Sequence, residues 1–248
     1  MNEIKEVIND LLGYDGLKII QRPDMFNFSL DSTLLADFVK IPLRATNIMD
    51  FGTGNAPIPL FLSLKTDRPI LAVEIQPEAA DLARRSVELN GLSHQITILE
   101  TDIKDLHKTI ESGSIGMITC NPPFFKYQAS SNVNKNDYLT IARHEILIDL
   151  EGILIQAKRL LTMNGTLYMI HRADRLEEIM VLFHEQHFAI KRMRFVYPKA
   201  GREANAVLIE AKANGSAGSL KLMEPLYVYE ESGEYTSEIL RIFRFGKK

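Results

Sequence analysis

Two hydrophobic rhythms alternate along the chain. From residue 46 to residue 185, short runs of β-branched and aliphatic residues are separated by stretches whose apolar positions recur every three or four residues. The first rhythm marks buried strands and the second marks amphipathic helices. The pattern predicts strands at Thr46–Phe51, Pro69–Glu74, Gln95–Leu99, Ile115–Cys120 and Gly165–His171. It predicts helices at Ala56–Lys65, Pro77–Asn90, Asp149–Leu161 and Asp174–Glu185, the third closed by Asn164-Gly165. Strand, helix, strand in sequence implies a parallel sheet with helices on both faces.

Both ends break that rhythm. Phe188–Pro198 and Asn205–Lys212 are extended patterns joined by a short loop around Gly201, a spacing that suits an antiparallel hairpin. A turn-rich excursion through Asn214-Gly215-Ser216 and Gly218-Ser219 precedes a last strand at Leu226–Tyr229 and a helix at Thr236–Phe243. Residues 1–45 read as a first helix, an extended stretch through Phe28, and a helix capped by Ser29 or Asp31. The expectation is one α/β domain over residues 1–248, with 1–45 as an extension packed on the core.

Composition narrows the setting. The 248 residues are 46% apolar and 25% charged, ordinary globular values, and enough chain to bury a large core. The single cysteine, Cys120, excludes an intramolecular disulfide framework and a multi-cysteine zinc cluster, and suggests a reducing compartment. No apolar run approaches the ~18 residues of a membrane span, and MNEIKEVINDLL has no signal-peptide core. A cytoplasmic protein without membrane contact is expected. His184 and His187 share a helical face but lack a third ligand, so no metal is expected.

Charge is uninformative as a sum and informative as a pattern. Twenty-nine basic and 32 acidic side chains give −3, so no global basic field attracts nucleic acid. Lys191 to Arg202 nevertheless holds five basic and no acidic residues, and Arg241 to Lys248 holds four and none. These are either solvated surface or a phosphate-contacting patch.

The segment Asp50-Phe51-Gly52-Thr53-Gly54-Asn55-Ala56-Pro57 lies between the first sheet strand and a helix. Glycines there let the backbone turn sharply and approach a ligand without a Cβ in the way. Glu74 ends the next strand, 20 residues after Gly54. At that place a carboxylate accepts hydrogen bonds from ribose hydroxyls. The missing third glycine, Pro57 at the helix start, and Asp50, which repels pyrophosphate but suits an ammonium group, favour adenosine with an amino-acid tail over a dinucleotide. Asp102 is placed either to accept from an adenine amine, with Ile103 packing on the ring, or to cap a helix at Ile103–His107.

Asn121-Pro122-Pro123-Phe124 follows a buried strand at once. Two prolines stop the ladder and stiffen the chain at the sheet's carboxyl edge. The prolines have no N–H, so their carbonyl oxygens and the Asn121 amide oxygen form a rigid acceptor set suited to a planar amine. Such a nitrogen is poorly nucleophilic because its lone pair is delocalised. Acceptors that take its hydrogens hold it near tetrahedral geometry, with the lone pair aimed at an electrophilic methyl. Phe124 offers a face on which a flipped base stacks, worth ~1–3 kcal/mol. Cys120 reads as a small buried apolar residue. The polar stretch Lys126–Asp137 reads as a loop closing over substrate, and Ala142–Glu145 as substrate-positioning or structural.

Taken together, Asp50–Gly54 and Asn121–Phe124 resemble the class I S-adenosylmethionine-dependent methyltransferases that act on exocyclic or amide nitrogen. The flanks Phe26-Asn27-Phe28-Ser29-Leu30-Asp31-Ser32, Ala142-Arg143-His144-Glu145 and Gly233-Glu234-Tyr235-Thr236 resemble bacterial tRNA (valine) adenine-N6 methyltransferases. The resemblance implies a Rossmann-like, mostly parallel seven-stranded sheet with a C-terminal antiparallel hairpin and helices on both faces. It also implies S-adenosyl-L-methionine as cofactor and an RNA substrate, tRNA first. By that resemblance Asn121 and the Pro122 carbonyl orient the amine, Pro123 stiffens the segment and Phe124 stacks the base. Glu74, Asp102 and Ile103 hold the adenosine, while Asp50, Gly52 and Gly54 line the amino-acid end. One departure is Phe124, where many relatives carry tyrosine. The same signature serves glutamine-amide, DNA-adenine and ribosomal-RNA enzymes, so those acceptors stay open. A nicotinamide dehydrogenase and a non-catalytic RNA-binding module are the other readings.

Overall fold

In the computed structural model, which describes residues 6–11, 14–25, 30–122, 148–216 and 218–244, the two rhythms become a sheet and its covering helices. The central strands are β3 (Ile48–Phe51), β4 (Ile70–Glu74), β5 (Ile96–Glu100), β6 (Ile115–Cys120), β7 (Leu161–Arg172), β8 (Phe188–Tyr197) and β9 (Ala206–Ala213). They lie in the order β5-β4-β3-β6-β7-β9-β8. β9 runs antiparallel to both neighbours, and the remaining pairs are parallel. Every position of β3 and β6 is buried, as expected of parallel strands covered on both faces. Gly116 in β6 has a steric reason: a Cβ there would lie 2.5 Å from the Ala45 Cα.

One face of the sheet is covered by α1 (Leu30–Phe38), α2 (Pro57–Ser63), α3 (Pro77–Leu89) and α6 (Ser237–Phe243), through Leu34, Leu35, Leu60, Phe61, Val87 and Ile239. The other face is covered by α4 (Leu150–Leu160) and α5 (Leu176–Glu185), through Ile153, Leu154, Ile179 and Phe183. Each such aliphatic or aromatic side chain removed from water contributes roughly 1.5–3 kcal/mol. Asp149 caps α4 by accepting from Gly152 N at 2.8 Å, and Thr236 caps α6. No helix among the described residues is long and apolar enough to cross a membrane.

Strand order positions the site. β4 and β5 lie to one side of β3 and β6 to the other, so the crevice opens beyond the carboxyl ends of β3 and β6.

Three expectations change. The first helix of the N-terminal extension is instead a hairpin of β1 (Val7–Leu11) and β2 (Tyr14–Gln21). Val7, Ile8 and Leu11 have helical spacing, but β2 offers a partner, and strand pairing overrides the local pattern. The hairpin is fastened to α3, with Ile20 N donating to Ser86 Oγ and Asn90 Nδ2 to the Lys18 carbonyl. Second, α4 ends at Leu160 and β7 begins at once, so Asn164, at φ 59°, sits in a register irregularity within the strand rather than closing a helix. Third, the two-residue strand β10 (Lys221–Leu222) adds to β8 without having been expected, and the expected last strand is shortened to β11 (Leu226–Tyr227), which also pairs with β8. Asp31 lies inside the first turn of α1 rather than at its cap, and Ser29 lies outside the described residues.

Candidate active site

The turn after β3 is built from left-handed backbone. Gly52 and Gly54 have φ of +65° and +58°, and Ala56 adopts 71° just before α2. Thr53 N bonds the Val73 carbonyl at 2.9 Å, which pins the turn to β4. A Cβ on Gly52 or Gly54 would meet nothing within 4 Å, so both glycines border open space that a ligand can fill. Asn55 is buried and donates to the Ile20 carbonyl at 2.9 Å, tying the turn to the N-terminal hairpin. Helix α2 starts with Pro57 and has Pro59 two residues later, so two of its first N–H donors are missing and a phosphate would find little there.

Two carboxylates flank this turn. Glu74, at the end of β4, is 5% exposed. Its Oε2 accepts from Gly54 N at 2.8 Å and its Oε1 from Gln76 N at 2.9 Å. Each oxygen keeps a further lone pair for a hydroxyl donor. Burial pushes the Glu74 carboxyl up, opposed by hydrogen bonds from the backbone at Gln76, Gly54 and Ile75. Asp50 is fully buried. Its Oδ1 accepts from Thr119 Oγ1 at 2.5 Å, while Oδ2 lacks a hydrogen bond of normal geometry, although Thr53 is near enough to favour the charged form. Burial raises Asp50 to about 7, with Thr119 and Thr53 opposing and Glu74 adding to the rise. A cation against Oδ2 would favour the ionised form.

The folded pKa lies above the unfolded 3.8, so Asp50 stabilises the fold most at low pH, and that contribution is lost as pH rises through about 7. Asp50→Asn removes this dependence. Its melting temperature relative to the wild type should climb as pH passes from below 4 to above 7. A difference that stays constant with pH would show that Asp50 does not titrate this way.

Asp102 follows β5 and caps the 3-10 helix Ile103–Lys108. Its Oδ1 accepts from Lys104 N at 2.8 Å, and its Oδ2 lies 3.3 Å from Lys104 Nζ. One Asp102 oxygen thus caps this helix, which leaves the other able to accept from a ligand, and Ile103 is half-buried against the core beside it. β4 and β5 are paired with Glu74 opposite Glu100, which puts Glu74 and Asp102 at adjacent strand ends.

Asn121 leaves β6 directly after Cys120, whose register partner on β3 is Phe51, so Asn121 stands beside the glycine turn. Asn121 is half-buried and donates from Nδ2 to Ser32 Oγ at 3.3 Å; Pro122 is buried. Burial raises the Cys120 thiol well above its ordinary value, in keeping with an inert apolar residue. Pro123 and Phe124 lie outside the described residues, as do Lys126–Asp137, Ala142–Glu145 and Phe26–Ser29. Among the described residues no group of three or more His, Cys, Asp or Glu side chains is arranged to hold a metal. Ser32 and Asn55 lie within the sequence motifs, but their contacts, like that of Thr119, emerge only from the packing.

A family model described as the methyltransferase small domain matches residues 16–196. The chain belongs to this family. Its similarity extends to the tRNA1(Val) (adenine(37)-N6)-methyltransferase of Porphyromonas gingivalis, 29% identical over 198 residues, 78% of this chain and 76% of the relative. The enzyme of the same name from Photobacterium profundum is 24% identical over 221 residues, covering 87% and 89%. Among solved structures, a predicted O-methyltransferase from Agrobacterium tumefaciens superposes with a TM-score of 0.69 at 22% identity, over 87% of this chain and 96% of that one. The fold is that of the class I methyltransferases, as the resemblance implied. For a methyltransferase the site divides naturally: the β3 turn, Glu74 and Asp102 border one side, and Asn121 stands on the other.

Proposed function

We propose that this enzyme transfers the methyl group of S-adenosylmethionine to the exocyclic N6 amine of an adenine in tRNA, at position 37 of a valine tRNA as in the relatives' names. The observation that carries the reading is Asn121 at the carboxyl end of β6, beside the glycine turn, with its amide nitrogen held by Ser32. The residues fit the cofactor: open space over Gly52 and Gly54, a buried carboxylate at the end of β4, and the unsatisfied Asp50 Oδ2. When bound, the cofactor supplies a methyl carbon made electrophilic by the sulfonium. Glu74 accepts the ribose hydroxyls, Asp102 and Ile103 receive the adenine, and Asp50, Gly52 and Gly54 border the amino-acid end. Asn121 Oδ1 and the Pro122 carbonyl accept the target amine's hydrogens, and Phe124 stacks the base. No base is required beforehand, because the amine proton becomes acidic only after alkylation. The rate gain comes from alignment and acceptor placement. A transfer assay with labelled methyl donor on total tRNA, total rRNA and protein extract tests the acceptor class. Label in tRNA alone supports the reading, and label in protein alone overturns it.

The basic segments need revision before they can be assigned to RNA. Arg192 is buried, bonded to Glu210 Oε2 and the Phe38 carbonyl at 2.7 Å each; Arg194 is buried and pairs with Glu238 at 2.9 Å. Neither is a surface phosphate contact. Lys199 and Arg202, on the β8–β9 connection at the same carboxyl edge, have no ion-pair partner among the described residues. Tyr197 and Tyr227 pack 5.5 Å apart beside them and supply aromatic faces. Lys199→Ala and Arg202→Ala should each flatten the log–log salt dependence of tRNA affinity by ~0.7–0.9. Unchanged slopes would remove this connection from the binding surface.

A further inference from the structure

The Asn121 amide can act as an aligned acceptor only if its side chain is held in place. The next residue, Pro122, offers no N–H to hold it. The one side chain among the described residues that bonds the Asn121 amide is Ser32, 89 residues earlier, whose Oγ accepts from Nδ2 at 3.3 Å. Ser32 is 3% exposed and sits in the first turn of α1.

Helix α1 is a firm mount. Lys65 Nζ donates to the carbonyls of Ala36, Asp37 and Val39 at 2.5, 2.8 and 3.1 Å. Arg192 Nη2 bonds the Phe38 carbonyl at 2.7 Å, and Tyr168 Oη bonds the Lys40 carbonyl at 2.7 Å. Leu34 and Leu35 are buried in the core on the same helix. The far end of α1 is thus fixed by three donor side chains, and the near end delivers Ser32 to Asn121.

We propose that Ser32 is a positioning residue: the bond from the Asn121 amide nitrogen to Ser32 Oγ holds the side chain with Oδ1 free to accept from the target amine. This rests on the reading of Asn121 given above. Without that hold the amide would swing out of line with the amine's hydrogens, and the lone pair would not be aimed. Ser32 itself touches neither substrate nor the methyl group.

The test is a double-mutant cycle with kcat, KM and melting temperature read for each protein. Ser32→Ala should lower kcat about 5- to 30-fold, the worth of one buried hydrogen bond felt at the reacting centre. The KM for S-adenosylmethionine should hold, and the melting temperature should fall by only about 2–4 °C. Ser32→Thr, which keeps the hydroxyl, should restore most of kcat. In an Asn121→Ala background, Ser32→Ala should have no further effect on kcat. If Ser32→Ala fails to fold, Ser32→Cys, close in size and a weak acceptor, gives the same readouts. Full kcat in Ser32→Ala, or an equal loss in the Asn121→Ala background, overturns the positioning role while leaving Asn121 in place. An Asn121→Ala enzyme with undiminished turnover overturns the reading beneath it and this inference together.

Discussion

Asn121→Ala is expected to lower turnover by roughly 10²–10³, the loss typical of one preorganised polar group at a reacting centre. In the proposed mechanism the amide oxygen would meet the target amine most strongly as the nitrogen becomes tetrahedral, which places the contact in the transition state and its loss in kcat. Affinity for S-adenosylmethionine should stay nearly unchanged, because the groups assigned to the adenosine sit on β4 and β5, on the other side of β3. Phe124→Ala should differ, since a stacking face serves the flipped base before and during reaction, and tRNA affinity should fall along with rate. Single-turnover rates at saturating cofactor with titrated tRNA separate the two patterns. An Asn121→Ala enzyme with the full single-turnover rate would reduce the segment to a strand-ending turn.

Glu74→Ala should weaken S-adenosylmethionine binding by ~1.5–3 kcal/mol, roughly 10- to 150-fold, for the lost charged acceptor. The geometry adds a second cost. Gly54 N and Gln76 N both donate to this carboxylate, so alanine strands two backbone donors and loosens the turn that borders the ligand space. Glu74→Gln is the informative control. Its single side-chain oxygen can accept from one of the two, while its NH2 group meets the other N–H donor to donor. An intermediate loss is expected. Calorimetry well below each variant's melting temperature reads binding apart from stability, and unchanged affinity in Glu74→Ala would remove the carboxylate from the cofactor site.

What the sequence made visible and what it hid divide along one physical line. The glycine turn, Glu74 and Asn121 are visible because backbone demands are local. A left-handed turn calls for glycine, a strand end 20 residues on calls attention to a carboxylate, and two prolines must stop a ladder. The strand–helix alternation is likewise local, so the parallel sheet could be read directly. The pairs that tune the site are not. Asp50 meets Thr119 across 69 residues, and Asn121 meets Ser32 across 89; such partners are set by strand order and by where α1 lies against it. The N-terminal hairpin was hidden for a related reason: Val7, Ile8 and Leu11 fit a helix until β2 is present to pair with them. Arg192 and Arg194 look like a solvated basic run because nothing nearby in sequence reveals Glu210 and Glu238. β10, two residues long, is too short to carry any rhythm.

The central claim is chemical: a methyl group moved onto the N6 amine of a tRNA adenine by the Asn121 segment. The most direct measurement is digestion to nucleosides of tRNA methylated in vitro with labelled donor, by the wild type and by Asn121→Ala, with the label followed by chromatography and mass. The account predicts label in N6-methyladenosine with the wild type and almost none with the variant. Label in a different nucleoside, or in N6-methyladenosine equally with both proteins, would contradict it.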